Sequence, residues 1–227
     1  MIIITGASRG IGHFLFEKFH KEGLPVVGFC RTALIEDEYK SSFYPIDITH
    51  YDQIVSAVQL IPNLSEIILI NCAGISYNSY AHKADLEQWR NVIEVNLIGT
   101  FNVIHALLPI MRSQGYGRII NFASVVTKIP TPGVSAYAAS KAALNSLTRN
   151  LSIENASKGI TVNSINLGYT DMGMGHNDIS EKFHETIVKR IPQRRFCQPI
   201  EIYQTVKYIM DMDYLTGSMI DLDGGIV

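Results

Sequence analysis

The feature that most constrains this chain is an alternation. Short apolar runs bounded by glycine or polar residues take turns with longer stretches in which apolar positions recur at helical spacing. "MIIIT", "LPVVGF", "SFYPI", "EIILI", "YGRIINFAS", "GITVNSIN" and "SMIDLDG" read as strands. Residues 11–22, 51–60, 86–112, 136–157, 178–190 and 199–210 read as helices. Such an alternation implies a parallel sheet, and strands so uniformly apolar suit a sheet covered on both faces, because neither face meets water. The expected fold class is α/β: a Rossmann-like, doubly wound, seven-stranded parallel sheet with helices on both faces.

At 227 residues the chain fits one large domain, and no internal repeat, low-complexity tract or Pro/Gly-rich linker divides it. Residues 1–123 read as a cofactor half and 124–227 as a catalytic and substrate half. Within the latter, 168–198 mixes glycines, methionines and charges in the manner of a lid. A 47% share of hydrophobic residues against 18% charged argues for a packed enzyme core and against disorder. The formal net charge of -2 leaves no basic field to attract nucleic acid or anionic lipid, so neither partner is expected.

Cys30, Cys72 and Cys197 are odd in number, far apart and without C-x2-C spacing, which argues against a disulfide framework and against a metal site. A reducing cytoplasm is the expected setting. "MIIITGASRG" has too short an apolar run for a signal peptide, and no window of about 18 uncharged apolar residues is expected elsewhere, so no membrane span is expected either.

"TGASRGIG", Thr5 to Gly12, leaves the first strand and enters a helix with glycines at Gly6, Gly10 and Gly12. Glycines allow a tight turn and close backbone approach, and a helix N-terminus offers free N–H groups and a positive dipole end to a pyrophosphate. Ser8, Arg9 and Ile11 belong to the same candidate phosphate site. A structural strand-to-helix turn would look similar. The second strand ends in "GFCRT", where an acidic residue would bind a ribose 2′-hydroxyl; Arg31 stands there instead and can bond a 2′-phosphate, with Arg9 approaching from the glycine turn. NADP(H) is therefore expected over NAD(H). Glu36, Asp37 and Glu38 follow and work against that preference. Asp47, followed by Ile48, can accept from an adenine amino group or cap the next helix. "NCAG", from Asn71 through Ala73 to Gly74, ends the fourth strand with small residues that let a cofactor lie against the backbone.

"SAYAASKAAL" places Tyr137 and Lys141 at i and i+4, on one face of a helix lined with alanines and serines. A free tyrosine, with a pKa of about 10, is a poor proton donor and acceptor near neutrality, but an adjacent cation favours the phenolate. Ser124, ending the fifth strand, can hold a substrate oxygen while Tyr137 protonates it. Asn96 lies within a long helix, where asparagine is disfavoured unless its amide or a disturbed carbonyl is used.

Taken together, "TGASRGIG", "NCAG", "VNLIG", "INFASV", "YAASK" and "IDLDGG" fall in the order of the short-chain dehydrogenase/reductase superfamily, which the chain resembles from Thr5 to its C-terminus. The resemblance implies Tyr137 as catalytic acid/base. It implies Lys141 binding the nicotinamide ribose and lowering the tyrosine pKa, Ser124 orienting the carbonyl, and Asn96 holding a water in a proton relay. Asn71, Ala73 and Gly74 would lie by the adenine ribose, and Gly168 to Thr170 around the nicotinamide amide. Homotetramers or dimers are the family's usual assemblies. Three positions depart from its pattern: Leu167 stands for the usual proline before Gly168, Cys72 for asparagine, and the first strand begins at Met1.

"RIPQRRFCQPIEI" with "YLTGSMIDLDGG" resembles the branch of 3-oxoacyl-carrier-protein reductases. Lys158 occupies one of that branch's basic docking positions, Gly115 another, and Arg112, Arg194 and Arg195 offer compensating charge. The substrate is expected to be a small-molecule or carrier-bound carbonyl. Rival readings are a sugar epimerase or dehydratase, disfavoured by the short C-terminal region, and a cofactor-sensing protein without catalysis on the same fold.

Overall fold

The computed structural model describes residues 1–32, 37–173 and 181–227. Part of the expected lid and the start of the helix expected at 178–190 lie outside these residues, as do the side chains of Glu36, Asp37 and Glu38. Seven strands form one parallel sheet: β1 (Ile2–Thr5), β2 (Val26–Cys30), β3 (Phe43–Pro45), β4 (Ile68–Asn71), β5 (Gly117–Ser124), β6 (Ile160–Leu167) and β7 (Met219–Leu222). Their order is β3-β2-β1-β4-β5-β6-β7, the doubly wound arrangement expected. β1 pairs with β2 on one side and β4 on the other, so the crossovers diverge between β1 and β4 and leave a crevice at the strands' carboxyl ends.

Every residue of β1, β2, β5 and β6 is buried, whereas β3 and β7 at the edges are partly exposed. On one face Leu15, Phe16 and Phe19 of α1 (Gly10–Lys21) and Ile202, Val206 and Ile209 of α7 (Pro199–Asp211) form a core with Ile4, Ile120 and Ile165. On the other, Ile54 of α2 (Tyr51–Leu60), Val103, Ile104 and Leu107 of α4 (Thr100–Gln114) and Leu151 of α5 (Ser135–Asn155) pack on Ile3, Leu69 and Val162. Each such side chain, fully buried, contributes about 1.5–3 kcal/mol of transfer free energy. α6 (Glu181–Arg190) precedes α7 in the chain.

The structure departs from the sequence reading in several places. The helix expected over 86–112 is α3 (Leu86–Ile93), one π-helical turn (Glu94–Gly99) and α4. A short 3-10 turn, Asp37–Ser42, precedes β3 where no element was expected. The continuous helical stretch Leu86–Gln114 is also long and apolar enough, by length and composition, to cross a membrane, contrary to the expectation of no such window. Its hydropathy includes a packing requirement: Val103, Ile104, Leu107 and Met111 are fully buried against the sheet.

Candidate active site

The chain leaves β1 at Thr5 and turns over Gly6 to Arg9 into α1. Gly6 has φ +68°, and a Cβ there would stand 2.7 Å from the Ala73 Cα; a Cβ on Gly12 would stand 2.4 Å from the Gly6 carbonyl oxygen. No side chain fits either place, which is why both are glycine. The first turn of α1 carries no acidic residue, so its N–H groups and positive dipole end stay available to an anion.

Over this turn opens a cavity of about 1010 Å³. Gly6, Ser8 to Gly12, Arg31, Asp47, Ile48, Ala73 and Gly74, all expected at the cofactor, line it. Arg9 and Arg31, from separate elements, thus share one cavity. Asn71 instead lies behind the wall, buried, donating to the Asn121 Oδ1 at 2.9 Å. Gly168 and Thr170 are also outside the lining; Asp171, Met172 and Gly173 take that wall. The Asp47 carboxylate accepts from the Thr49 N–H and hydroxyl at 2.9 and 2.8 Å. Burial would raise its pKa, but the Thr49 bonds and the charges of Arg31 and His50 outweigh it and hold the group below its ordinary value. The carboxylate makes an Asx turn while its residue borders the cavity; the N-cap of α2 is His50.

Ser124 ends β5, Tyr137 lies in the first turn of α5 and Lys141 in the second. The Ser124 hydroxyl faces the Tyr137 phenol closely enough to pull its pKa down. The Lys141 Nζ sits 5.6 Å from the Tyr137 ring centroid and donates to the Phe122 carbonyl at 2.6 Å. Burial raises the Tyr137 phenol, and the Ser124 hydroxyl pulls it the other way. Lys141 brings no lowering of the phenol here: its Nζ donates to the Phe122 carbonyl, while burial shifts the ammonium itself down to about 8. A Cβ on Gly74 would lie 3.3 Å from the Asn96 Oδ1 and 3.6 Å from the Lys141 Nζ, which places these two side chains behind the cavity wall at Gly74.

The π-helical turn explains an asparagine inside a helix. Asn96 is fully buried, its Oδ1 accepts from the Ile75 N–H at 2.8 Å, and its Nδ2 donates to the Ile75 carbonyl at 2.9 Å and to the Ser140 hydroxyl at 3.0 Å. The side chain clamps the segment after Gly74 against α5. Ser140 was not anticipated; it also donates to the Tyr137 carbonyl at 2.8 Å, and its only sequence signal is its place beside Lys141. Cys72, at a position where the family usually has asparagine, lines the cavity, and burial pushes its thiol up against the opposing pull of Lys141.

The geometry meets its counterpart in known proteins. The family model for short chain dehydrogenase matches residues 1–182. An acetoacetyl-CoA reductase of Rhizobium meliloti is 34% identical over 232 residues, covering 98% of this chain and 96% of that one. A 3-oxoacyl-[acyl-carrier-protein] reductase FabG of Thermotoga maritima is 34% identical over 238 residues, covering 99% and 96%. The crystal structure of 3-oxoacyl-[acyl-carrier protein] reductase from Brucella melitensis superposes with a TM-score of 0.91 at 28% identity, covering 99% of this chain and 90% of that one. With a glycine-turn cavity on a doubly wound sheet, and with sequence similarity running nearly end to end, the chain belongs to the short-chain dehydrogenase family of oxidoreductases.

Proposed function

We propose that the protein is an NADP(H)-dependent reductase that transfers hydride between the nicotinamide and a carbonyl carbon, with Tyr137 as acid/base. The family implies a nicotinamide cofactor, and the glycine cradle and helix N-terminus fit its pyrophosphate. The observation that carries the reading is the pairing of the Ser124 hydroxyl with the Tyr137 phenol, beside the buried Lys141. A carbonyl oxygen entering between the two hydroxyls accepts from both. Ser124 holds the oxygen and Tyr137 gives it a proton; the Lys141 ammonium, turned from the Phe122 carbonyl towards the phenol and the ribose hydroxyls of a bound cofactor, would stabilise the phenolate left behind. When bound, the nicotinamide supplies the hydride from C4. Asn96 keeps the Gly74–Ile75 wall in place.

Arg9 and Arg31 in one cavity support the preference for a 2′-phosphate. Arg31→Asp is expected to raise the KM for NADPH by about 10²-fold, with NADH turnover improved, since it removes one charge-assisted bond and adds a repulsive carboxylate. Steady-state rates with both cofactors check this. Equal loss for both would break the assignment.

For the substrate, the names of the relatives favour an acyl thioester with a 3-oxo group, carried by coenzyme A or by a carrier protein. NADPH oxidation with acetoacetyl-CoA, with the same acyl group on a carrier protein and with a panel of free ketones tests this. Turnover of a thioester is the expected result. Turnover of free ketones alone would retire the thioester reading, and absence of any turnover beside tight NADPH binding would favour a cofactor-sensing protein. A homo-oligomer in the reducing cytoplasm, built from a single domain, completes the proposal.

A further inference from the structure

The polar side chains that link β6, β7 and α5 lie outside the chemistry described so far, yet they join the two segments that supply it. The Lys128 Nζ pairs with the Asp221 Oδ2 at 2.5 Å. The Asn166 Nδ2 donates to the Asp221 Oδ1 at 2.8 Å, the Asn145 Nδ2 donates to the Asn166 Oδ1 at 2.8 Å, and the Ser164 hydroxyl donates to the Asn145 Oδ1 at 2.8 Å. We propose that this chain is a positioning device for the carbonyl site: it fixes the turn that follows Ser124 against the helix that carries Tyr137 and Lys141. The inference rests on the reading of Ser124 and Tyr137 given above.

The two ends of the chain identify its purpose. At one end, Lys128 closes the single 3-10 turn Val125–Thr127, donating its N–H to the Val125 carbonyl at 2.9 Å. The Thr127 hydroxyl returns to the Ser124 carbonyl at 2.8 Å, so Lys128 is one rigid turn from Ser124. At the other end, Asn145 lies four residues after Lys141 and eight after Tyr137, on the same face of α5. Between the ends, Asn166 pairs in register with Ala123, the residue before Ser124, and with Asp221 of β7.

The cost of building such a chain argues that it is used. Asn166 and Ser164 are fully buried, where an apolar side chain would pack without needing partners. Each buried amide is tolerable only while its neighbour stays in place, so displacement of one member disturbs the next. The ion pair itself is weakly stabilising, since Lys128 and Asp221 are 41% and 34% exposed. Its contribution is to direction: the carboxylate, turned by Lys128, presents its second oxygen to Asn166.

The experiment uses the full chain and a carbonyl that the unaltered protein reduces with NADPH. Lys128→Met, Asp221→Asn, the double variant and the conservative Lys128→Arg are compared. Arg90→Met serves as a control, because it breaks an exposed pair with Glu87 that links nothing beyond α3. Lys128→Met is expected to lower kcat about tenfold through misplacement of the two hydroxyls, with the NADPH dissociation constant within about twofold of the original. The double variant should be no slower than the slower single one, Lys128→Arg should recover at least about half of the rate, and Arg90→Met should be unchanged. The proposal is overturned if Lys128→Met keeps kcat within about twofold, if the two losses multiply, or if NADPH binding and the thermal midpoint fall in step with kcat. No turnover by the unaltered protein with any carbonyl would instead overturn the reading of the site itself.

Discussion

Tyr137→Phe is expected to lower NADPH-dependent turnover by about 10³-fold, while the NADPH dissociation constant stays within about threefold. The substitution removes one oxygen atom and nothing else from α5. What disappears is the proton donor and half of the pair that Tyr137 makes with Ser124, so the loss falls on kcat rather than on cofactor affinity. The pH dependence has a definite sign. Burial raises the phenol above its ordinary value, so the protonated form needed for reduction persists through neutrality, and the reduction rate should fall only as pH rises past that raised value. Bound NADPH lowers the same pKa if Lys141 turns from the Phe122 carbonyl towards the phenol, which would bring the alkaline fall to lower pH in kcat than in kcat/KM. Steady-state profiles of both constants, with fluorescence titration of NADPH, measure this. Survival of turnover in the phenylalanine variant would remove Tyr137 from the mechanism.

Lys141→Met should have opposite effects on activity and on stability. Turnover is expected to fall by about 10³-fold or more, because the cation that stabilises the phenolate is gone. Stability at neutral pH is expected to rise by about 1–2 kcal/mol, since a buried ammonium whose pKa is depressed from 10.5 to about 8 carries a desolvation cost that its bond to the Phe122 carbonyl only partly offsets. The sign follows from proton binding. Below about pH 8 both folded and unfolded chains hold the proton, and the folded state bears the whole cost. Between about 8 and 10.5 the folded lysine releases its proton first, so the original protein gains stability as pH rises and the advantage of the methionine variant fades. Thermal unfolding of both proteins at pH 7 and pH 10 decides the matter. A methionine variant less stable at pH 7 would mean that the Phe122 bond outweighs desolvation.

Much of the site could be read from residue order because its parts are local. "TGASRGIG" is a strand, a turn and a helix start in eight consecutive residues, so its cradle needs only short-range geometry. Tyr137 and Lys141 share a face through helical periodicity alone. Arg31 is legible at a strand end and Arg9 in the glycine turn, and both line one cavity. Asn96 was legible only as an anomaly, an asparagine inside a helical pattern; the π-helical turn and the clamp on Ile75 depend on partners about twenty residues away.

Periodicity and punctuation in the sequence determined the class of fold, the seven strands, the glycine turn and the candidate catalytic group, since each depends on backbone preferences and neighbours a few residues apart. Tertiary structure alone decided the protonation balance. Burial raises the Tyr137 phenol where a neighbouring cation was expected to lower it, and Lys141 meets a carbonyl of β5; no local pattern contains either surrounding. It also decided the polar chain from Lys128 to Asn145, whose members stand up to 93 residues apart along the sequence and become neighbours only because β6 lies between β5 and β7.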